Sequence, residues 1–247
     1  MDDTNEGKSM KIMTFNIWRY DGDWSKRKPN IIEAVKKEKP DILFMQEVFD
    51  DQRHQTKDGP HQGEQLNEKL NYKNILYDIV EQTVNEHKED LKQLVFGGLL
   101  CLTNLPVLEH RIVRLKREDT DKHYRAIQIV KVLWSGKEVL FYHAHYSNTN
   151  EWSKIHLQET KEYFKRNNIL PIILGDLNIL NPQIIKDVLG NEYKCTYDIE
   201  KYVSFPSKNE VLDYIVIPKE KYTFKSIKCD YDDCSDHRAL IAEIEDA

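Results

Sequence analysis

Short apolar runs separated by polar segments recur along the chain. Runs of this length that are rich in isoleucine, valine and aromatic residues are typical of buried strands. The first run, MKIMTFNI, also alternates, and Ser135-Gly136 between two later runs is typical of a hairpin turn. The pattern predicts strands over residues 10–17, 41–46, 94–102, 107–115, 125–134, 139–145, 170–174, 211–217, 222–228 and 238–244.

Amphipathic segments lie between several of these strands. In residues 25–39, Ile31, Ile32 and Val35 fall on one side among many lysines, as in a surface helix, and Pro40 ends the segment. Further helices are predicted over residues 64–70, 150–166 and 182–189, with polar loops over 50–63 and 81–93. Mixed strands with a few helices between them predict an α/β sandwich, in which two sheets pack face to face beneath outer helices.

The composition is that of an ordinary folded protein. The 247 residues are 40% hydrophobic and 32% charged, which suits one large α/β domain. Since no linker-like or repeated segment interrupts the chain, we expect a single domain over residues 10–247 behind a disordered tail, residues 1–9. No apolar run approaches the roughly 18 residues of a membrane span, and the polar start lacks the apolar core of a secretory signal.

Cysteine usage and charge narrow the choice of compartment and partner. Cys101, Cys195, Cys229 and Cys234 form neither a zinc pattern nor a disulfide framework, so we expect reduced thiols and a cytoplasmic location. The formal net charge is −6, from 36 basic and 42 acidic residues. That balance counts against a sequence-blind nucleic-acid binder, which is usually basic, although a local basic patch or a bound metal can offset it.

Ionisable or amide residues stand at one end of many of the apolar runs. Taken singly, each has a structural explanation, such as a turn, a cap or a satisfied core histidine. A set of them is better explained by one shared site, because chemistry is commonly placed at strand ends beside a cleft. The residues are Asn16, Glu47, His145, Asp176, Asp213 and the pair Asp236-His237.

The stretch ILGDLNI (173–179) raises the question most sharply, because Asp176 and Asn178 follow a strongly apolar run. Gly175 lets the backbone turn or approach another group closely. Two residues apart on a strand, the acid and the amide point to the same face. A β-turn that uses Asp and Asn as turn formers is the structural alternative, and this stretch alone leaves both open.

The chemistry of the set points to a phosphate ester. Glu47, with Asn16 close by, offers the oxygen ligands that hard cations such as Mg²⁺ prefer, and no Cys or His cluster favours zinc. Asp213 and His237 can form a couple in which the acid fixes the imidazole tautomer and raises its basicity. Because no Ser or Cys lies in a recognisable nucleophile motif, water is the expected nucleophile, attacking a phosphodiester or phosphomonoester in line.

The sequence resembles the endonuclease/exonuclease/phosphatase superfamily. The match spans residues 10–246 in the family's order, and QEV, GDLN and SDH at these separations are together highly specific. The matching stretches are TFNIW (14–18), PDILFMQEV (40–48), GGLLCLTNLPV (97–107), FYHAHYSN (141–148), ILGDLNI (173–179), FPS and LDYIVI (205–217), and SDHRAL (235–240). The resemblance implies a four-layer fold, with two mixed sheets flanked by helices, and a divalent-metal phosphohydrolase.

By position, the resemblance also implies a metal and a water site. Glu47 would be the main Mg²⁺ ligand, with Mn²⁺ as an alternative ion, and Asn16 would lie near the metal and its waters. Asp236 would support the metal site or orient the neighbouring backbone. Asp176 would orient or deprotonate the attacking water.

The same resemblance implies the groups that hold the phosphate. Asn178 and His145 would bind its oxygens, and His237, paired with Asp213, would be the second phosphate or proton-transfer group.

Further polar residues have less definite parts in this scheme. Asn148 falls where some relatives place another phosphate-contacting amide. Arg125, on the strand that begins there, matches a family arginine that faces the cleft, with an ordinary surface arginine as the alternative. His143 and His156 match no role and are expected to be structural or exposed.

The branch of the family decides the substrate. Apurinic/apyrimidinic endonucleases usually have a Lys soon after the metal Glu and an Asp two after the Asn, whereas this chain has Val48-Phe49 and Trp18. The QEV, SFPS and LDYI runs look more like the broad intracellular branch, which includes tyrosyl-DNA phosphodiesterases, deadenylase-like nucleases and sphingomyelinase-like enzymes. The expected substrate is therefore DNA, RNA or a nucleotide-linked phosphodiester.

Two alternatives stay open. One is hydrolysis of a phospholipid head group or a small phosphate ester, which the acidic balance favours, and the other is a non-catalytic binding module. Substrate choice is expected in loops 50–63, 81–93, 146–152 and 190–209, where aromatic side chains can stack bases, face a lipid or simply pack. These are Tyr146, Trp152, Tyr193, Tyr197, Tyr202 and Phe205.

Overall fold

The computed structural model describes residues 9–84, 94–117, 119, 121 and 123–247, and residues 1–8 of the predicted tail lie outside this part of the chain. The strands are β1 (Met10–Asn16), β2 (Ile42–Asp51), β3 (Asn74–Val84), β4 (Leu94–Thr103), β5 (Val107–Arg114), β6 (Ala126–Trp134), β7 (Lys137–His145), β8 (Ile172–Asp176), β9 (Tyr193–Cys195), β10 (Asp213–Pro218), β11 (Tyr222–Asp230) and β12 (Ala239–Asp246). The α-helices are α1 (Trp24–Glu38), α2 (Gln62–Leu70), α3 (Asn150–Arg166), α4 (Gln183–Leu189) and α5 (Thr196–Ile199).

The strands form two six-stranded mixed sheets. The first sheet has the order β11-β12-β1-β2-β4-β3, and the second has the order β5-β6-β7-β8-β10-β9. In each sheet one central pair is parallel, β1 with β2 and β7 with β8. The carboxyl ends of both strands of a parallel pair lie at the same edge of their sheet. Residues that follow these strands are therefore brought together.

Three apolar layers hold the sheets and helices together. Between the sheets, Ile12 and Phe44 of the first pack with Phe141 and Leu174 of the second. The next residue along each strand points the other way. The outer face of the first sheet packs on α1 and α2 through Met13, Phe15, Ile31, Val35 and Leu66. The outer face of the second sheet packs on α3 and α4 through Ile127, Tyr142, Ile173, Leu157, Phe164 and Ile185. The predicted four-layer α/β sandwich is confirmed.

Some element predictions need correction. The sequence pattern missed β3, whose last residues, 81–84, fall in the predicted loop 81–93; residues 85–93 lie outside the described part of the chain. Alternation along β3 is blurred because Asp78 lies on an inward position, where its carboxylate accepts a hydrogen bond from buried Gln128 at 2.8 Å. Strand β9 and helix α5, at three and four residues, lie in the predicted loop 190–209.

The four cysteine thiols are free, and Cys101, Cys195 and Cys234 are buried. Within the described ranges, no helix is both long enough and apolar enough to cross a membrane. One domain over residues 10–247 stays a prediction.

Candidate active site

Strand register brings the polar strand ends of the second sheet side by side. Asp176 at the end of β8 is opposite His145 of β7 on one side and Asp213 of β10 on the other. In the first sheet, Asn16 at the end of β1 is opposite Gln46, the residue before Glu47. The Asn16 amide donates to Asp176 Oδ2 at 2.9 Å, so it joins the two sheets at this edge.

Glu47 reaches the site through an irregularity in β2. The pairing of β2 with β4 shifts between Met45 and Val48, and Glu47 has a left-handed φ of 54°. A bulge of this kind re-aims a side chain that regular pairing would send elsewhere. Glu47 Oε1 accepts from the Asn16 amide at 3.2 Å, and Oε2 accepts from Arg19 Nε at 3.0 Å.

Asp176 is the central group of the arrangement and is 1% exposed. Its Oδ2 lies 3.4 Å from His145 Nε2 and 3.7 Å from His237 Nε2. Burial raises the pKa of the Asp176 carboxyl, the charges of Asp213 and Glu47 raise it further, and His237 opposes them. Asp176 can therefore exchange a proton closer to neutral pH than an ordinary aspartate.

His237 and Asp213 form a buried couple, with His237 Nδ1 at 2.8 Å from Asp213 Oδ2. Burial works against a charged imidazole, but the Asp213 and Asp176 carboxylates outweigh it and raise the pKa of His237. Asp213 is fixed in turn, because Ser204 Oγ accepts the backbone N–H of Asp213 at 3.1 Å. His237 is therefore a cation that presents Nε2 toward Asp176.

The turn after β8 explains the sequence ILGDLNI. Gly175 has a φ of 129°, and a Cβ there would lie 2.0 Å from the carbonyl oxygen of Ala144 on β7. Asn178 has a φ of 49°, its backbone N–H donates to Asp176 Oδ1 at 3.1 Å, and its amide donates to the Tyr146 carbonyl at 3.0 Å. The stretch is thus both a tight turn and a means of placing the acid and the amide at one cleft.

A cleft of about 350 Å³ opens over this group. The predicted residues that line it are Glu47, Arg125, His145, Asn148, Asp176, Asn178, Asp236 and His237. Asn16 and Asp213 complete the set through their hydrogen bonds to Glu47, Asp176 and His237. The structure therefore brings all ten predicted residues together, while their roles stay predictions.

Arg125 requires a correction of position. It directly precedes β6, because β5 ends at Arg114 and the Arg125 carbonyl accepts a hydrogen bond from Leu115 beyond that end. Its side chain is 6% exposed and pairs with Asp121 at 3.2 Å, so it is not an ordinary surface arginine.

One residue of the cleft, Arg19, was not singled out from the sequence. Arg19 lines it beside Glu47, and the only sequence signal was a basic residue three positions after Asn16. Among the aromatic residues considered for substrate contact, Phe205 lines the cleft, with its ring centroid 4.8 Å from that of His237. Tyr146 and Tyr193 are buried in the layer beneath α3 instead.

Within the part of the chain that the structure describes, one group of three side chains is compact enough to be considered for a metal ion. Ligand atoms of Asp176, Asp213 and His237 lie within 4.8 Å of one another. The Asp213–His237 hydrogen bond already uses one atom of each, however, and Asp213 is fully buried. The Glu47 side chain is 18% exposed at the cleft.

Glu47, with Asn16 and Asp236 beside it, fits a hard divalent cation. The charge of Glu47 raises the pKa of both Asp176 and Asp236, although burial is the larger cause in each. A cation would relieve this repulsion among carboxylates, and oxygen ligands are those that Mg²⁺ prefers. Asn16 turns its amide nitrogen toward Glu47 Oε1 and so helps to hold the carboxylate, while its Oδ1 accepts the Trp18 N–H at 3.0 Å.

The sequence profile of the Endonuclease/Exonuclease/phosphatase family matches residues 13–237. The chain belongs to this family. It is accordingly a hydrolase, and the family's members act on phosphoric esters. Among curated proteins, none matches the chain in sequence.

Solved structures with the same fold include a family protein from Beutenbergia cavernae DSM 12333, at 17% identity and a TM-score of 0.78 over 97% of this chain and 72% of that one. The human Nocturnin catalytic domain aligns at 19% identity and a TM-score of 0.70, over 97% and 95%. D. rerio TDP2, solved with a single-strand DNA product, aligns at 16% identity and a TM-score of 0.69, over 96% and 99%. At these identities the likeness concerns the fold.

Proposed function

We propose that this protein is a Mg²⁺-dependent phosphodiesterase, with Mn²⁺ able to replace Mg²⁺, that uses an activated water. The observation that carries the proposal is the position of Asp176. It lies buried between His145 and His237, and Asn16 links it to Glu47. A carboxyl of raised pKa, two imidazoles and a second carboxylate at one cleft are the groups that hydrolysis of a phosphate ester requires.

Glu47 would hold the metal ion, with Asn16 and Asp236 beside it. When bound, the ion supplies positive charge that polarises a phosphoryl oxygen and offsets the clustered carboxylates.

Asp176 would orient the attacking water and accept its proton, since its raised pKa matches that task near neutral pH. Cationic His237 would hold a phosphate oxygen or give a proton to the leaving group. Burial, and then the charge of Arg125, lower the pKa of His145 well below its ordinary range. His145 is therefore a neutral imidazole that, with Asn178, would donate hydrogen bonds to the phosphate.

The surroundings of the centre favour a nucleic acid or a nucleotide-linked diester. Phe205 offers an aromatic face beside His237, and Lys208 adds a positive charge to the same cleft. An aromatic face beside cationic side chains suits a base and its phosphates. The single-strand DNA product bound by D. rerio TDP2, a protein of the same fold, supports this substrate class.

A phospholipid head group or small phosphate ester is the second candidate. A cleft of about 350 Å³ is at the small end of the range for small-molecule pockets. The net charge of −6 also disfavours extended contact with a polyanion.

A cleavage assay with Mg²⁺ tests the substrate class. The substrates are end-labelled single-stranded DNA, RNA and a tyrosyl-linked oligonucleotide, and Asp176→Asn is the inactive reference. Cleavage of at least one by wild type alone is the expected result. If the protein instead released phosphocholine from sphingomyelin or phosphate from a sugar phosphate, and cleaved no oligonucleotide, the second candidate function would be correct.

A further inference from the structure

Arg19 stands in a backbone segment that is strained and firmly held. Trp18 and Arg19 both have left-handed φ values, 55° and 47°, directly after β1. Non-glycine residues adopt this conformation at an energetic penalty, and it persists where the surrounding structure enforces it. These two residues lie directly beside the cleft, and the second of them contacts Glu47.

The buried side chains of Arg27 and Gln62 hold this segment by donating hydrogen bonds to its backbone carbonyl groups. Arg27 of α1 is 7% exposed and donates to the carbonyl oxygens of Ile17, Trp18 and Arg19 at 2.8, 3.2 and 3.0 Å. Gln62 donates to the Arg19 carbonyl at 2.5 Å. The Arg19 N–H donates to the Glu47 carbonyl at 3.1 Å. The backbone at Arg19 is thus tied to the bulge that carries Glu47.

The side chain completes the link. Arg19 Nε lies 3.0 Å from Glu47 Oε2, and the guanidinium carbon lies 5.3 Å from the centre of the Phe49 ring. Asn16 donates to the other oxygen, Oε1. Both oxygens of the proposed metal ligand therefore accept hydrogen bonds, one of them from a side chain that is always charged.

We propose that Arg19 is a resident counter-cation of the metal site, which competes with the metal ion for Glu47 and so sets the affinity of the site. The inference rests on the proposed function, since it takes Glu47 as the metal ligand. A guanidinium does not leave by losing its proton, so an incoming ion must either displace Arg19 from Oε2 or share the carboxylate with a like charge. In either case Arg19 weakens metal binding, while it stabilises the Glu47 carboxylate in the metal-free protein.

A titration of the metal-stripped protein with Mn²⁺ measures this affinity directly. Binding is followed by calorimetry or by the loss of the paramagnetic resonance signal of free Mn²⁺. Arg19→Met keeps an unbranched side chain over Phe49 and removes the charge. Because Arg27 and Gln62 bond to the backbone carbonyl of residue 19, the variant is expected to fold. It should bind Mn²⁺ about tenfold more tightly, the scale of one full charge at a partly exposed site. Arg19→Lys, which keeps a charge, should lie between the two.

Arg166→Met is the matched control, because Arg166 pairs with Glu162 on an exposed face of α3 and does not line the cleft. It should bind Mn²⁺ as wild type does. Thermal melting adds a second readout: Arg19→Met should melt at a lower temperature in EDTA and gain more from Mn²⁺ than wild type, because tighter binding stabilises the folded state more.

The outcomes separate this inference from the function beneath it. Unchanged or weaker Mn²⁺ binding in Arg19→Met would overturn the counter-cation role while leaving the metal site in place. Wild-type Mn²⁺ affinity in Glu47→Gln would remove Glu47 as the ligand, and both proposals would then fail.

Discussion

At the scale of single residues, Gly175 has the tightest backbone constraint at the site. A side chain there would collide with the Ala144 carbonyl, and the φ of 129° disfavours any other residue. We expect Gly175→Ala to lower the free energy of unfolding by more than about 3 kcal/mol. Gly136→Ala is the control, since its φ of 78° is also positive but its Cβ would meet open space; it should cost about 1 kcal/mol. Equal losses in denaturant titrations would mean that the collision is relieved by relaxation.

The carboxylates of Asp213 and Asp176 raise the pKa of His237 and so favour its charged form. We expect His237→Ala to lower turnover by about 10²- to 10⁴-fold, because a positioned proton donor or phosphate ligand is lost, while the circular dichroism spectrum stays unchanged. His110→Ala, a histidine on strand β5 away from the cleft, is the control. Turnover within a few-fold of wild type in His237→Ala would show that the couple with Asp213 is structural.

Much of this site could be predicted from the residue types alone. Asn16, Glu47, Asp176 and His237 were each visible as polar groups at the ends of apolar runs. The part of Arg19 was not visible, because it depends on a left-handed backbone and on contact with a residue 28 positions away.

At the scale of elements, a polar layer crosses the otherwise apolar space between the sheets. The His143 imidazole lies 2.6 Å from the Gln46 amide nitrogen and 2.9 Å from Gln128 Oε1. Gln46 donates onward to Thr14, and Gln128 to Asp78. The layer ties β1 and β2 of the first sheet to β6 and β7 of the second, directly behind the strand ends that form the site.

This layer predicts acid sensitivity. Burial lowers the pKa of His143 from 6.5 to about 3, so the unfolded chain takes up a proton before the folded protein does. The free energy of unfolding is therefore highest above about pH 6.5 and falls as the pH approaches 3, by as much as about 5 kcal/mol from this histidine. In His143→Gln, the free energy of unfolding should fall less steeply with pH over this range. The slope should correspond to close to one proton fewer taken up on unfolding than in wild type. A slope identical to wild type would mean that His143 titrates normally.

Strand prediction was clearest where a strand is apolar along its whole length. Strand β8, IILGD, is buried throughout and was clear from its composition. Strand β3 was missed because the inward position of Asp78 belongs to the polar layer. The bulge at Glu47 left no mark in the sequence, since it arises from the pairing of β2 with β4.

At the scale of the whole molecule, the two parallel pairs organise the site. Each pair brings two carboxyl ends to one edge, and the packing of the sheets joins the edges at Asn16 and Asp176. The sandwich was predicted by the mixture of strand-like and helix-like segments along the chain and by the family resemblance that the ordered motifs carry. The loops that set substrate choice follow no such periodic pattern, so the sequence left nucleic acid, lipid and small ester open.

The most direct test of the account is metal-dependent hydrolysis of bis(p-nitrophenyl) phosphate by wild type, Asp176→Asn and Asp187→Asn. Asp187 is an exposed aspartate on α4 and provides the matched amide control. We predict cleavage with Mg²⁺ or Mn²⁺, none in EDTA, at least about a 10³-fold loss in Asp176→Asn and none in Asp187→Asn. Hydrolysis that survives in EDTA or in Asp176→Asn would contradict a metal-dependent site centred on Asp176.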